Sequence, residues 1–368
     1  MNIDVLLRKN AVSFSVLLSG LSFWGLYTET QNVFSAAAIT LLTLALVFLA
    51  VLVCDKVFKY SVSLKGAVKT PVYFVIFWFF AFLSCIFLYT AFTVELSKTQ
   101  AIISGEFEGG RFSSLFAVLS LFLALYMGKR DAISISRIYF LLLPLLLLPY
   151  VITAFDFIGQ GMDTKELLRG EAFIFDIKYI VYPLSSFGGV LLLFPLTNEN
   201  GKGPGKSKLS DFLWAFIFMA VFCVLEYAKY IVWFGKSGLE FINRPDRTML
   251  SQVPFMNIQE IYLVSYYTAY MLKISLFCTC ARKYFEKILK KFGLKEISYV
   301  RAGYIVTAAF CIISYTLSFI FEEKISFIYL CPAAIALIFA VILLQGILRI
   351  IKKRLFAAKR YRNLFKKA

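Results

Sequence analysis

The chain alternates between long apolar stretches and short polar gaps. Ten stretches are long enough to be membrane spans, near 11–28, 33–54, 71–95, 112–128, 138–158, 177–196, 210–235, 258–281, 300–321 and 326–348. Crossing the hydrocarbon layer takes about 20 apolar residues in a helix. A backbone surrounded by lipid must satisfy its own hydrogen bonds, so the pattern predicts helices rather than strands. The expected fold class is an all-α integral membrane protein with ten transmembrane helices.

Charge then orients the spans. Of the 39 Lys and Arg residues, 28 lie in alternate gaps beginning with the N-terminus, nine lie in the other gaps or at a span edge, and two lie within spans. Basic residues concentrate on the cytoplasmic side, which predicts ten passages with both termini cytoplasmic. The favoured gaps hold Arg8 and Lys9, then Lys56 to Lys69, Lys129 to Arg137, Lys202 to Lys208, Arg282 to Arg301, and Arg349 to Lys367. The opposite gaps carry acids such as Glu106, Asp163 and Glu322. The net charge of +17 thus reads as topology and attraction to anionic lipid headgroups, with no nucleic-acid partner.

Composition agrees. Hydrophobic residues make up 60% and charged residues 17%, against about 45–50% and about 25% for a soluble chain. The spans leave no room for a separate soluble domain, so residues 1–368 read as one polytopic unit. Residues 1–196 form a first part with six spans, 197–209 a Gly/Lys-rich cytoplasmic loop, 210–348 four further spans and 349–368 a basic tail. The segment 282–293 reads as an amphipathic interfacial helix ending at Gly293. The first stretch has no small-residue cleavage site and reads as a retained span.

Several chemistries lose their residues. There is no histidine, which removes the commonest general acid/base and metal ligand. No Asp occupies a span centre, so paired-aspartate proteolysis is unsupported. The seven cysteines fall in or beside spans without disulfide or zinc spacing. The reading is no enzyme, no metal and no cofactor.

Taking five spans before and five after the middle of the chain inverts the second half relative to the first. That is the layout of LeuT-like transporters with a 5+5 inverted repeat, whose first helix in each half is interrupted. Span one contains Ser19, Gly20 and Ser22, followed by Gly25; span six contains Pro183, then Ser185, Ser186, Phe187, Gly188 and Gly189. Two readings stand. Gly and Ser in membrane helices serve close packing, or they mark interrupted helices one and six that line a cavity. On the second reading, Ser19, Gly20, Ser22, Ser186, Phe187, Gly188 and Gly189 bind a small ligand; Tyr89 and Thr90 are weaker candidates.

Ionisable groups within spans are functional candidates by default. Glu226 and Lys229 in span seven are three apart and share a helix face, so they can pair; Lys229 also lies within snorkelling reach of the outer interface. Lys273 in span eight lies eight residues before Ala281, about 12 Å along the axis, and its neighbours Tyr266, Tyr267, Thr268 and Ser275 form a polar stripe. These three are candidates for an ion site or charge coupling; the other reading of Lys273 is an amine snorkelling to the inner headgroups beside Arg282 and Lys283.

Ile135-Ser136-Arg137 leading into span five, and the stretch from Pro254 to Lys290-Lys291-Phe292-Gly293, carry a resemblance to the B subunits of GerA-type spore germinant receptors. These are spore germination proteins of the amino acid–polyamine–organocation transporter superfamily. The resemblance covers nearly the whole chain in length, span number and loop pattern. The chain departs from the family where Leu26 to Thr30 lacks a proline and where Val190 stands in the place of an acid. The resemblance implies a sensor for a small nutrient germinant, with an amino acid as the expected ligand, in the spore inner membrane of a bacterium. It also implies partner A and C subunits. In sodium-independent relatives a lysine amine replaces an ion between spans one and eight, which implies that role for Lys273. The alternative is a proton-coupled secondary transporter of amino acids or polyamines.

Overall fold

A computed structural model describes residues 13–21, 33–61, 111–129, 132–159, 186–190, 209–239, 258–291 and 296–320, with isolated positions at 79–91, 173, 180–184 and 337. Among the described residues there is helix and no strand. The helices are α1 (13–21), α2 (Val33–Ser61), α3 (Arg111–Gly128), α4 (Ala132–Gly159), α5 (186–190), α6 (Leu209–Leu239), α7 (Ile258–Lys291) and α8 (Glu296–Ile320). They fall on sequence-predicted spans one, two and four to nine. Most of spans three and ten, the loop 160–176 apart from Phe173, and the loops 197–208 and 240–257 lie outside the described residues, as does the tail.

Among the described residues, four helices carry stretches long and apolar enough to cross a membrane, at Phe34–Val53, Ser134–Phe155, Leu213–Gly235 and Ile261–Glu286. The protein is an all-α membrane protein. Large apolar side chains cover the outside of these helices, including Leu42, Leu46 and Leu49 on α2 and Phe140, Leu141 and Phe155 on α4. In water this would be unfavourable; in lipid the outward face has the polarity of its solvent.

Contact registers give the helices their relative directions. Phe34 of α2 meets Tyr227 of α6, while Phe48 meets Phe216, so α2 and α6 are antiparallel. Phe14 of α1 meets Tyr139 of α4, and Leu21 meets Tyr150, so α1 and α4 are parallel. Both relations are those of alternating passages counted along the sequence.

The interior helix is α7. Of its Ile261–Glu286 stretch 67% is buried, against 28% for Ser134–Phe155 of α4. It packs against α3, α4 and α8. Pro149 inside α4 explains one docking contact. A proline has no N–H, so the carbonyl four residues earlier loses its helical partner. That carbonyl belongs to Leu145, and it accepts a hydrogen bond from Ser265 Oγ of α7 at 2.9 Å. A polar residue on a neighbouring helix thus meets the group that the proline frees.

One expectation is corrected here. The interfacial helix expected over 282–293 is the continuation of α7, which runs unbroken to Lys291. Arg282 and Glu286 are buried. Arg282 Nη1 donates to the Lys129 carbonyl at the end of α3 (3.2 Å), and its Nε lies 3.4 Å from Glu286 Oε1. A C-terminal carbonyl of α3 needs a donor, and Arg282 supplies it. Among the described residues of the Gly/Ser clusters, the backbone is helical at Ser19, Gly20 and Leu21 and at 186–190. A Cβ on Gly20 would overlap Met219 of α6, and one on Gly189 would overlap the Phe277 ring of α7. These glycines serve close helix approach. Ser22, Gly25 and Ser185 lie outside the described residues.

Candidate functional site

The site is built around Lys273. It is the thirteenth of the 26 residues in Ile261–Glu286 and is fully buried, so at about 1.5 Å per residue it stands roughly 18 Å from either end. A lysine stem cannot snorkel that distance. Its Nζ donates to Ser186 Oγ of α5. Ser186 Oγ in turn donates to the Ser19 carbonyl of α1 at 3.0 Å. A hydroxyl has one donor and two lone pairs, so Ser186 is used in both senses, joining α1, α5 and α7. The Phe277 ring lies one turn along, its centroid 5.9 Å from the ammonium.

Local sequence places each group. On α7, Lys273 and Phe277 are four apart and therefore share a face; Phe277 fills the space left by Gly189. On α5, Ser186 and Gly189 share a face by the same rule, so one side of this helix offers both the hydroxyl and the gap. Gly20 lets α1 approach α6 beside the acceptor carbonyl of Ser19.

Of the sequence-predicted residues, Ser19, Ser186 and Lys273 are brought into one hydrogen-bonded chain, with Gly20 and Gly189 as its packing contacts. Phe187 is buried in the core, and Val190 is buried beside it. Gly188 is also buried. Ser22, Tyr89 and Thr90 lie outside the described residues.

Glu226 and Lys229 form a separate group on α6. Lys229 Nζ lies 2.5 Å from Glu226 Oε2, and both side chains are about 5% exposed, so the two form a buried pair, as their spacing on one helix face allowed. Lys229 also donates to Thr153 Oγ1 of α4 at 3.3 Å and lies 5.5 Å from the Tyr230 ring. Removing one member of such a pair strands a charge and costs about 3–5 kcal/mol.

Sequence reasoning missed Tyr150. Its Oη donates to the Leu21 carbonyl at 3.2 Å, and its ring packs edge-on to Phe222 and Tyr262 at 5.1 and 5.9 Å. One tyrosine among 21 carries no local mark. The available signal was Pro149 beside it, which frees a backbone carbonyl within an apolar span.

The arrangement offers an ammonium and a hydroxyl near the middle of the Ile261–Glu286 stretch, joined to one another across helices. Among the described residues no three of His, Cys, Asp and Glu gather as a metal site. The chain matches no protein-family model and no curated protein.

Proposed function

We propose that the protein is the ligand-sensing membrane subunit of a GerA-type spore germinant receptor, in the spore inner membrane with both termini cytoplasmic. Its proposed ligand is a small nutrient with the chemistry of an amino acid. The observation that supports this reading is the buried chain Lys273–Ser186–Ser19 at mid-membrane. Intramembrane ionisable groups are costly and are kept for use, and this one ties together the helices that the inverted-repeat reading places around a ligand. The Lys273 ammonium is the fixed cation of the centre, and α1, α5 and α7 are the parts whose relative positions a ligand would bias. Differential binding to two arrangements of these helices would be passed to A and C subunits. No covalent step is part of this function.

The test is the amino-acid response of spores carrying Lys273→Met or Ser186→Ala, with protein level followed by immunoblot. A charge-assisted hydrogen bond contributes about 1.5–3 kcal/mol, so sensitivity is expected to fall about tenfold or more. An unchanged response at unchanged protein level would remove the proposal.

The second reading, a proton-coupled transporter of amino acids or polyamines, draws on the buried Glu226–Lys229 pair as a charge-coupling element. Accumulation of labelled amino acid in vesicles containing this chain alone would favour it over a receptor that needs partner subunits.

A further inference from the structure

Three consecutive residues of α1 are held by three different helices. The Ser19 carbonyl accepts from Ser186 of α5, Gly20 lies against Met219 of α6, and the Leu21 carbonyl accepts from Tyr150 of α4. The first contact leads to Lys273. The third leads elsewhere: the Tyr150 carbonyl accepts from Thr153 Oγ1 at 3.1 Å, and the same Thr153 oxygen accepts from Lys229, which holds Glu226. Thr153 thus uses its single donor on its own helix and receives the ammonium on a lone pair. The contacts from Glu226 reach the Tyr150 backbone carbonyl, and the Tyr150 hydroxyl reaches Leu21, two residues from the point where the path from Lys273 ends. Two helical residues span about 3 Å of axis, so α1 cannot shift at one carbonyl and stay at the other.

We infer that Tyr150 is a positioning residue that couples the buried Glu226–Lys229 pair to the Ser19–Ser186–Lys273 centre through the Leu21 carbonyl. The pair fixes Thr153; Thr153 holds the Tyr150 backbone and the contacts with Phe222 and Tyr262 hold its ring; Tyr150 holds α1 at 19–21. A change of helix positions at Lys273 that moves α1 therefore has to stretch the Tyr150–Leu21 bond, and loss of the ion pair loosens the same stretch from the far side. Its use in signalling rests on the proposed sensing role, but the coupling itself does not.

Hydrogen exchange by mass spectrometry on the purified full-length chain in detergent micelles, with no ligand added, tests it. Tyr150→Phe keeps the ring packing and removes only the donor; amides in residues 13–21 should exchange about fivefold faster, as for one lost buried hydrogen bond. The double variant Glu226→Met with Lys229→Met replaces the pair by apolar side chains, a change that usually preserves folding. It should also speed exchange in residues 13–21. The proposal is overturned if Y150F leaves 13–21 unchanged, or if the double variant alters only α4 and α6. Loss of protection throughout the molecule in Y150F counts against it too, because removing one positioning contact leaves the other helices closed. A normal spore response in K273M would remove the sensing role and leave this result standing.

Discussion

At the level of single residues, the two lysines within spans are both buried but differently held. Lys229 has a carboxylate on its own helix, three residues away, while Lys273 reaches across to another helix for Ser186. Glu226→Met alone should destabilise the protein by about 3–5 kcal/mol, and adding Lys229→Met should recover most of that loss; thermal melting in detergent measures both. The glycines give a second contrast. Gly189→Ala drives a methyl into the Phe277 ring, whereas Gly20→Ala meets the flexible end of Met219. Overpacking costs about 1–3 kcal/mol, with the larger loss expected at Gly189, where a ring cannot fold aside. Such residues were legible in the sequence as Gly/Ser clusters, but their spacing could not separate a packing contact from a broken helix. What distinguishes the two is which side chain lies opposite, and Met219 and Phe277 are 199 and 88 residues away in the chain.

At the level of elements, α4 and α7 depend on one another through a defect. Pro149 deprives the Leu145 carbonyl of its helical donor, and Ser265 supplies another. Ser265→Ala should cost about 1 kcal/mol, and that cost should nearly vanish in a Pro149→Ala background, where the helix bond returns. A double-mutant cycle on melting temperature gives the coupling. The length of α7 is the other element-scale result. Its basic segment has the composition of a helix lying on a membrane surface, but Arg282 and Glu286 are enclosed against α3 and α8. Spin labels at Val264 and Leu289 should lie about 38 Å apart in one straight helix, whereas a right-angle bend after Ala281 would bring them to about 28 Å.

For the whole molecule, the alternating direction of helices follows from short gaps between apolar stretches, and the contact registers of α1, α2, α4 and α6 agree with it. The sidedness remains a proposal drawn from charge. In a background freed of native cysteines, a cysteine placed at exposed Lys129 or half-exposed Lys283 should react with an impermeant maleimide only in inside-out vesicles. One placed at exposed Phe173 should react in right-side-out vesicles. Reversed labelling would invert the assigned topology.

The sequence by itself determined that the chain lives in a membrane as helices, because hydropathy and length act locally and lipid leaves the backbone no alternative. It also placed Ser19, Ser186, Glu226, Lys229 and Lys273 within spans, since polarity at that depth is costly wherever it occurs. Only the tertiary structure decided that Lys273 reaches Ser186 and Ser19, that α7 runs straight through its basic end, and that Tyr150 grips Leu21. Those are contacts between distant segments, fixed by which faces pack together, and no local pattern of apolar and polar residues encodes the partner on the other side.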